Sequence, residues 1–149
     1  MTYDDLLKEA EEKDLTVREK PLRSAKGRIY GKRIAIQKGL SQVEKTCVLA
    51  EELGHFETTV GNILDQNNSN NRKQEKTARK WAVDKMISIE DIFRAAEQPC
   101  STLFEIAEYL DVTEEFLLEA LEVFKKRYGH SYTHEGKSIV FCDHGFCIK

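Results

Sequence analysis

Ala50-Glu51-Glu52-Leu53-Gly54-His55 is the stretch of sequence around which we expect the fold to form. Residues three and four apart share one face of a helix, so a helix here would bring Glu51 and Glu52 close to His55. The spacing is that of H-E-x-x-H, in which two histidines bind Zn²⁺ and the glutamate activates a water, but Glu51 replaces the first histidine. Because burying unpaired charge is costly, the stretch predicts a helix whose polar groups meet a cation.

The helix that carries this stretch has a recognisable beginning. Ser41 and Glu44 have the spacing of a capping box, in which each side chain bonds the backbone N–H of the other residue. The residues that follow are spaced for one buried face: Val43, Cys47, Ala50 and Gly54. Glycine inside a helix costs roughly 1 kcal/mol relative to alanine, so we expect Gly54 to answer a packing demand from a close neighbour or a substrate.

Residues 72–87 predict a second helix, with basic residues on its outer side and an inner stripe made of Ala78, Trp81, Ala82 and Met86. Glu75 continues that stripe and, as a carboxylate at the end of a buried face, needs a partner. One metal ion bound by Glu51, His55 and Glu75 would satisfy this group and the acids of the first helix. Glu52 would then be free to act as a general base.

Two other interpretations of these residues are open. The first is a surface helix that carries three exposed acids and a chance histidine, which is common in charge-rich chains. The second is a di-iron carboxylate site, but that design needs Glu-x-x-His twice and the chain contains it once. A mononuclear hydrolase site accounts better for the inner position of Glu75 and for Gly54.

The rest of the chain predicts an α+β fold that is zincin-like, mostly helical, and built as a single domain over residues 1–149. Residues 3–13 have a helical stripe, and a strand near Leu15 joins a hairpin over residues 28–36 in a small N-terminal antiparallel sheet. A polar loop over residues 61–71 separates the two site helices. Residues 91–149 form a helical brace that ends in a C-terminal hairpin, while residues 1–90 hold the sheet and the site helices.

Composition limits the possible partners. The 23 basic and 26 acidic residues nearly cancel to a net charge of −3, so no basic field favours nucleic acid. Residues 105–113 have the spacing of a helix-turn-helix motif. The helix that follows carries glutamates where a DNA-binding helix needs lysine or arginine, so we expect no direct DNA binding. These acids are Glu114, Glu115, Glu119 and Glu122. No apolar run is long enough for a membrane, and four scattered cysteines suit the reduced thiols of a cytoplasmic protein.

The C-terminal region holds further candidate ligands. Cys142, His144 and Cys147 could bind a metal, but they lack the second matching pair of a structural zinc site, so we expect core cysteines on a half-buried strand. His130 and His134 are four apart, yet Gly129 and the polar residues between them argue against a helix. We therefore expect loop histidines whose role the sequence does not define.

The arrangement resembles the ImmA/IrrE family of metallopeptidases. That family shows A-H-E-L-G-H after a strand pair and E-x-x-A-x-x-F-A on the next long helix. This chain has Ala50 to His55 and then Glu75-x-x-Ala78-x-x-Trp81-Ala82. The resemblance covers residues 25–90 well and extends loosely beyond them.

The resemblance implies a Zn²⁺-dependent endopeptidase, often encoded on phages and mobile elements. Such enzymes cut a helix-turn-helix transcriptional repressor. At the matching positions, His55 would be a histidine ligand, Glu75 the carboxylate ligand and Glu52 the general base. Glu51 stands where the family has its first histidine, and Trp81 stands where it has phenylalanine.

The replacement at Glu51 has chemical consequences. A ligand set of one histidine and two glutamates is harder and more anionic, which lowers the Lewis acidity of zinc and makes Mn²⁺ more competitive. The alternative function is a non-catalytic anti-repressor module that binds the repressor with the same cleft. A helical transcription accessory protein is a third possibility.

Overall fold

The computed structural model describes residues 1–59, 68–99, 102–143 and 145–149, and it groups them into two compact units, Met1–Met86 and Ile87–Lys149. The first unit contains α1 (Tyr3–Glu12), β1 (Thr16–Lys20), β2 (Gly27–Tyr30), β3 (Arg33–Gln37), α2 (Gln42–Thr58) and α3 (Asn68–Met86). The second contains α4 (Ile89–Glu97), α5 (Leu103–Leu110), α6 (Glu114–Tyr128), β4 (Ser131–His134), β5 (Lys137–Cys142) and β6 (Gly145–Ile148). Residues 61–67 of the predicted loop lie outside the described residues, and the prediction was wrong for residues 68–71, which form the first turn of α3.

The sheet of the first unit has the strand order β1-β3-β2. The predicted hairpin is confirmed, because β2 and β3 pair antiparallel around Gly31, whose φ is 60°. However, β1 runs parallel to β3, so the sheet is mixed rather than wholly antiparallel. The chain crosses the end of β3 between β1 and β2, where the Leu22 backbone N–H donates to the Gln37 side chain at 2.6 Å. This order places β3, with Ile34 and Ile36 buried, at the centre of the sheet.

Helix α2 is the central element of the first unit. It begins at the predicted capping box, where the Glu44 backbone N–H donates to Ser41 Oγ at 3.2 Å and the reciprocal bond is also present. The helix contacts α1, α3, β2 and β3. Every residue from Thr46 to Gly54 except Glu51 is therefore buried, as expected for a helix enclosed on several sides.

Gly54 permits a close approach of α2 and α3. A Cβ atom at this position would overlap the backbone carbonyl oxygen of Ala78 and would lie 3.1 Å from its carbonyl carbon. The predicted packing demand on Gly54 is thus confirmed, and the neighbour is the backbone of α3.

The second unit has its own core, which includes Ile92, Phe116, Phe124 and Ile139. Ser88 and Asp91 form a capping box at the start of α4, as the sequence indicated. The predicted pair of helices around residue 111 is confirmed as α5 and α6, joined where Asp111 adopts φ 60°. No helix in the described ranges combines the length and the apolar character needed to cross a lipid bilayer.

The C-terminal hairpin is confirmed as β5 and β6, but a third strand, β4, pairs with β5. The expectation of a loop at His134 was therefore wrong. Tyr132 and His134 point to the partly buried side of β4, and the His134 ring lies 5.8 Å from that of Phe93. The sequence did not show the apolar–polar alternation of a strand here, because the inward residues Tyr132 and His134 are polar aromatics rather than aliphatic residues.

The cysteines of this hairpin are not core residues, contrary to expectation. Cys142 and Cys147 are both exposed and unbridged, with their Sγ atoms 4.0 Å apart. Ile139 and Phe141 take the buried face of β5, so the alternation of the strand turns Cys142 outward. His144 lies outside the described residues.

Candidate metal centre

A pocket of about 540 Å³ lies in the first unit where α2, α3 and β2 meet. The described residues that line it are Gly27, Arg28, Ile29 and Gly31 from the hairpin, Glu52, His55, Phe56 and Thr59 from α2 and its end, and Gln74 and Glu75 from α3. Three of the four residues predicted to form the site therefore share one cavity.

His55 and Glu75 approach each other across this pocket. The Nε2 atom of His55 lies 3.4 Å from Oε2 of Glu75, which joins α2 to α3 as the two sequence patterns predicted. The expectation that Glu75 ends a buried stripe was wrong, because its side chain is 60% exposed. Burial on this face of α3 begins one turn later, at Ala78, so Glu75 occupies the open mouth of the pocket.

Glu52 occupies the interior of the same pocket. Its side chain is buried, unlike that of Glu75, because α2 is enclosed at this point. Burial removes the carboxylate from water and raises its pKa to about 7, and the nearby negative charge of Glu75 adds to the shift. The side chain can therefore exchange a proton near neutral pH, as a general base must.

Glu51 occupies a different environment. It is half-buried on α2 and is not among the described residues that line the pocket. Within the described residues, no three His, Cys, Asp or Glu side chains are grouped closely enough to hold a metal ion. The structure thus brings His55, Glu75 and Glu52 together, and the assignment of Glu51 as a ligand stays a prediction.

The sequence did not single out the pocket residues from the hairpin. Strand β2 is the edge of its sheet and lies beside α2, with Gly27 directly against the Glu52 side chain. The hairpin itself was predictable, but which of its strands faces α2 depends on how the sheet packs on the helix. No local signal in residues 27–31 carries that information.

The residues present fit a divalent metal in the identity and separation of their donor atoms. Imidazole nitrogen and carboxylate oxygen are ordinary ligands of Zn²⁺. Two such ligands in tetrahedral coordination, at the usual zinc distances, would lie roughly 3.4 Å apart. The separation of His55 Nε2 from Glu75 Oε2 agrees with this value. Catalytic zinc sites use three protein ligands, so one more donor is required.

Comparison with protein families gives a match that covers most of the chain. The family model of Peptidase_M78, described as the IrrE N-terminal-like domain, matches residues 10–122. The chain belongs to the Peptidase_M78 family. The resemblance noted from the sequence is therefore confirmed, and so is a metallopeptidase type of function.

The Peptidase_M78 match includes β1 to β3, both site helices and most of α6, and it ends before the C-terminal sheet. Neither the curated proteins nor the solved structures contain a significant match to the chain. The roles of individual site residues are therefore assigned from the geometry of the pocket.

Proposed function

We propose that the protein is a metal-dependent endopeptidase whose active site is the pocket between α2, α3 and β2. The observation that carries the proposal is the meeting of His55 and Glu75, from separate helices, beside a buried glutamate in a chain of a metallopeptidase family. Structural ion pairs also join helices, but they do not require a buried third carboxylate at the same place.

His55 and Glu75 would hold the metal, and Glu51 is the proposed third ligand. When bound, Zn²⁺ supplies a Lewis acid that polarises the scissile carbonyl and makes water more acidic. The carboxylate-rich ligand set also makes Mn²⁺ a possible ion. Glu51 would have to turn from its half-buried position toward His55 for this role.

Glu52 would perform the proton transfers. Its carboxylate would accept a proton from the attacking water and deliver it to the amine that leaves the cleaved peptide bond. The buried position suits this role, because a base shielded from bulk water keeps a pKa near neutrality in the free protein. The proton thus returns to the product, and the enzyme is regenerated.

The edge of the sheet offers a place for the substrate. Strand β2 is an edge strand, and its residues Arg28 and Ile29 line the pocket. An extended peptide could pair with this edge through main-chain hydrogen bonds and pass over Glu52. Tyr30 follows on the same strand and is 85% exposed, so it is available to contact a substrate side chain.

We further propose a helix-turn-helix transcriptional repressor as the substrate and the cytoplasm as the place of action. The support for the substrate is the resemblance of the site helices to ImmA/IrrE peptidases. The support for the location is that Cys142 and Cys147 form no disulfide within the described residues, although their Sγ atoms lie 4.0 Å apart.

The first test is metal content. Protein purified without chelator should contain close to one equivalent of Zn²⁺ or Mn²⁺ by mass spectrometry, and both His55→Ala and Glu75→Gln should lower the affinity at least tenfold. His134→Ala is the matched control, because His134 also lies near a glutamate but outside the pocket. Equal metal content in all four proteins would contradict the proposed site.

The second test separates cleavage from binding. Wild-type and Glu52→Gln proteins, both loaded with metal, are incubated with a host-cell lysate, and new protein N-termini are identified by mass spectrometry. An endopeptidase should create a discrete set of N-termini that Glu52→Gln does not create, because the variant lacks the proton acceptor but keeps the ligands.

The position of Glu51 outside the pocket lining favours one alternative, a module that sequesters the repressor without cutting it. In that case neither protein creates new N-termini, and both relieve repression equally in a reporter assay. Glu51→His then serves as a further probe, since it should restore cleavage if only a ligand has been lost.

A further inference from the structure

The backbone of Gly27 lies directly against the Glu52 side chain. A Cβ atom placed on Gly27 would be 3.0 Å from Oε1 of Glu52 and 3.1 Å from its Cγ atom. The same Cβ would lie 2.5 Å from Cγ1 of Val48, one turn earlier on α2. The absence of a side chain at residue 27 therefore creates the space in which Glu52 is held.

The strand cannot easily withdraw from this contact. Gly27 pairs with Ile36 of β3, a fully buried residue, and the Leu22–Gln37 hydrogen bond fixes the chain just before β2. On the other side, Val48 and Glu52 are each only 9% exposed, so neither can turn into solvent without opening the unit. An added methyl group would have to displace the two side chains.

We propose that Gly27 is a positioning residue for the Glu52 carboxylate. The expected loss of kcat rests on the proposed function, but the effect of residue 27 on the position of the Glu52 side chain does not. Glu52 is enclosed by the helix behind it and by β2 beside it. The open direction is the pocket, toward Glu75 and His55. A side chain at residue 27 would push the carboxylate in that direction, out of its present position and closer to the proposed ligands.

The experiment separates the two contacts of residue 27. Gly27→Ala introduces both clashes, whereas the pair Gly27→Ala and Val48→Ala removes the clash with Val48 and leaves the one with Glu52. The new methyl group also fills part of the space that Val48 vacates, so the double variant should melt above Gly27→Ala and within about 3 °C of Val48→Ala. Gly39→Ala is the control: its φ of 87° makes alanine strained, but its Cβ meets no atom within 4 Å.

Kinetics are measured on a synthetic peptide that spans a bond identified in the N-terminal analysis. We expect the double variant to keep KM within about twofold of Val48→Ala and to lose at least about tenfold in kcat, since a positioned general base contributes 10²–10⁴-fold. Gly39→Ala should melt at a lower temperature with kcat unchanged. Recovery of kcat together with melting temperature in the double variant would overturn the proposal, because Gly27 would then serve packing alone.

A crystal structure of the double variant provides the readout that does not depend on activity. The Glu52 carboxylate should move away from residue 27 by about a few tenths of an ångström, as relief of contacts of 3.0 and 3.1 Å requires, so the structure must be determined at atomic resolution. If the wild type cleaves nothing, the proposed function fails, and this structure still decides the role of Gly27. An unmoved carboxylate, or a double variant that does not fold, overturns the positioning role.

Discussion

At the scale of single residues, the chemistry of the pocket comes from the different surroundings of two glutamates. Glu52 is buried in the interior of the first unit, while Glu75 is largely exposed at the pocket mouth. The two carboxylates are close enough that the charge of Glu75 disfavours ionisation of Glu52. A cation bound between Glu75 and His55 would reverse this effect, because it would neutralise the charge that opposes ionisation.

Glu52→Gln tests the burial of this group through the pH dependence of stability in metal-free protein. Burial raises the pKa of Glu52 from 4.5 in the unfolded chain to about 7 in the folded protein. The protonated side chain therefore contributes its full stabilisation below pH 4.5, and this contribution is lost as the pH rises through about 7. Glutamine does not titrate, so the stability of Glu52→Gln relative to wild type should increase by up to about 3 kcal/mol between pH 4.5 and 7.5. Urea denaturation at several pH values measures this difference.

Glu44→Gln is the matched control, because its effect should have the opposite sign. Hydrogen bonds from Ser41 lower the pKa of Glu44, so wild type should gain stability over this variant as the pH rises through the acidic range. Parallel curves for Glu52→Gln and wild type would show that Glu52 is hydrated rather than buried.

At the scale of elements, the site depends on the contact between α2 and α3. The two ligand candidates come from different helices, so the separation of the helices sets the distance between the donors. Gly54 determines that separation, because only hydrogen separates its Cα atom from the backbone of Ala78. The capping box at Ser41 lies at the far end of α2 from His55.

Gly54→Ala should destabilise the protein by about 1–3 kcal/mol, through overpacking against α3. Helix propensity alone predicts the reverse, a gain of roughly 1 kcal/mol from replacing glycine by alanine. The sign of the change in unfolding free energy therefore decides between the two effects. We also expect metal affinity to fall, since the helices must move apart.

Ser41→Ala provides a comparison on the same helix. Loss of the cap should cost about 1 kcal/mol. Because Ser41 lies more than three helical turns from His55, metal affinity should stay at the wild-type value while stability falls. An equal loss of metal affinity in Ser41→Ala and Gly54→Ala would mean that general destabilisation, not helix separation, controls the site.

At the scale of the whole molecule, the candidate centre belongs to one compact unit. All described residues that line the pocket lie within Met1–Met86, which also contains β1 to β3 and α1 to α3. The family match continues to residue 122 and so includes part of the second unit. The residues that match the family model therefore extend beyond the unit that contains the candidate site.

A fragment of residues 1–86 should fold cooperatively and bind Zn²⁺ within about tenfold of the affinity of the full chain, because a compact unit with its own core can fold alone. Circular dichroism and competition with a chromophoric chelator measure both properties. A folded fragment that does not bind metal would show that residues 87–149 contribute to the centre. His55→Ala in the fragment is the control for specific binding.

The sequence by itself determined the features that depend on neighbours a few residues away. Ser41 and Ser88 begin their helices because each bonds a backbone N–H three residues later, and Gly31 allows the tight turn of the hairpin. The approach of His55 to Glu75 was also predictable, because each lies at helical spacing from the apolar residues of its own helix, although the predicted burial of Glu75 was not found.

Only the tertiary structure decided the features that depend on distant parts of the chain. Propensity and periodicity do not state which strand lies beside α2, so the parallel pairing of β1 and the contact of Gly27 with Glu52 were not predictable. The exposure of Glu75 likewise depends on where burial along α3 begins, and that of Cys142 depends on which face of β5 is covered. Local hydrogen bonds act over one helical turn, whereas burial and the pKa of Glu52 depend on atoms from several elements packed together.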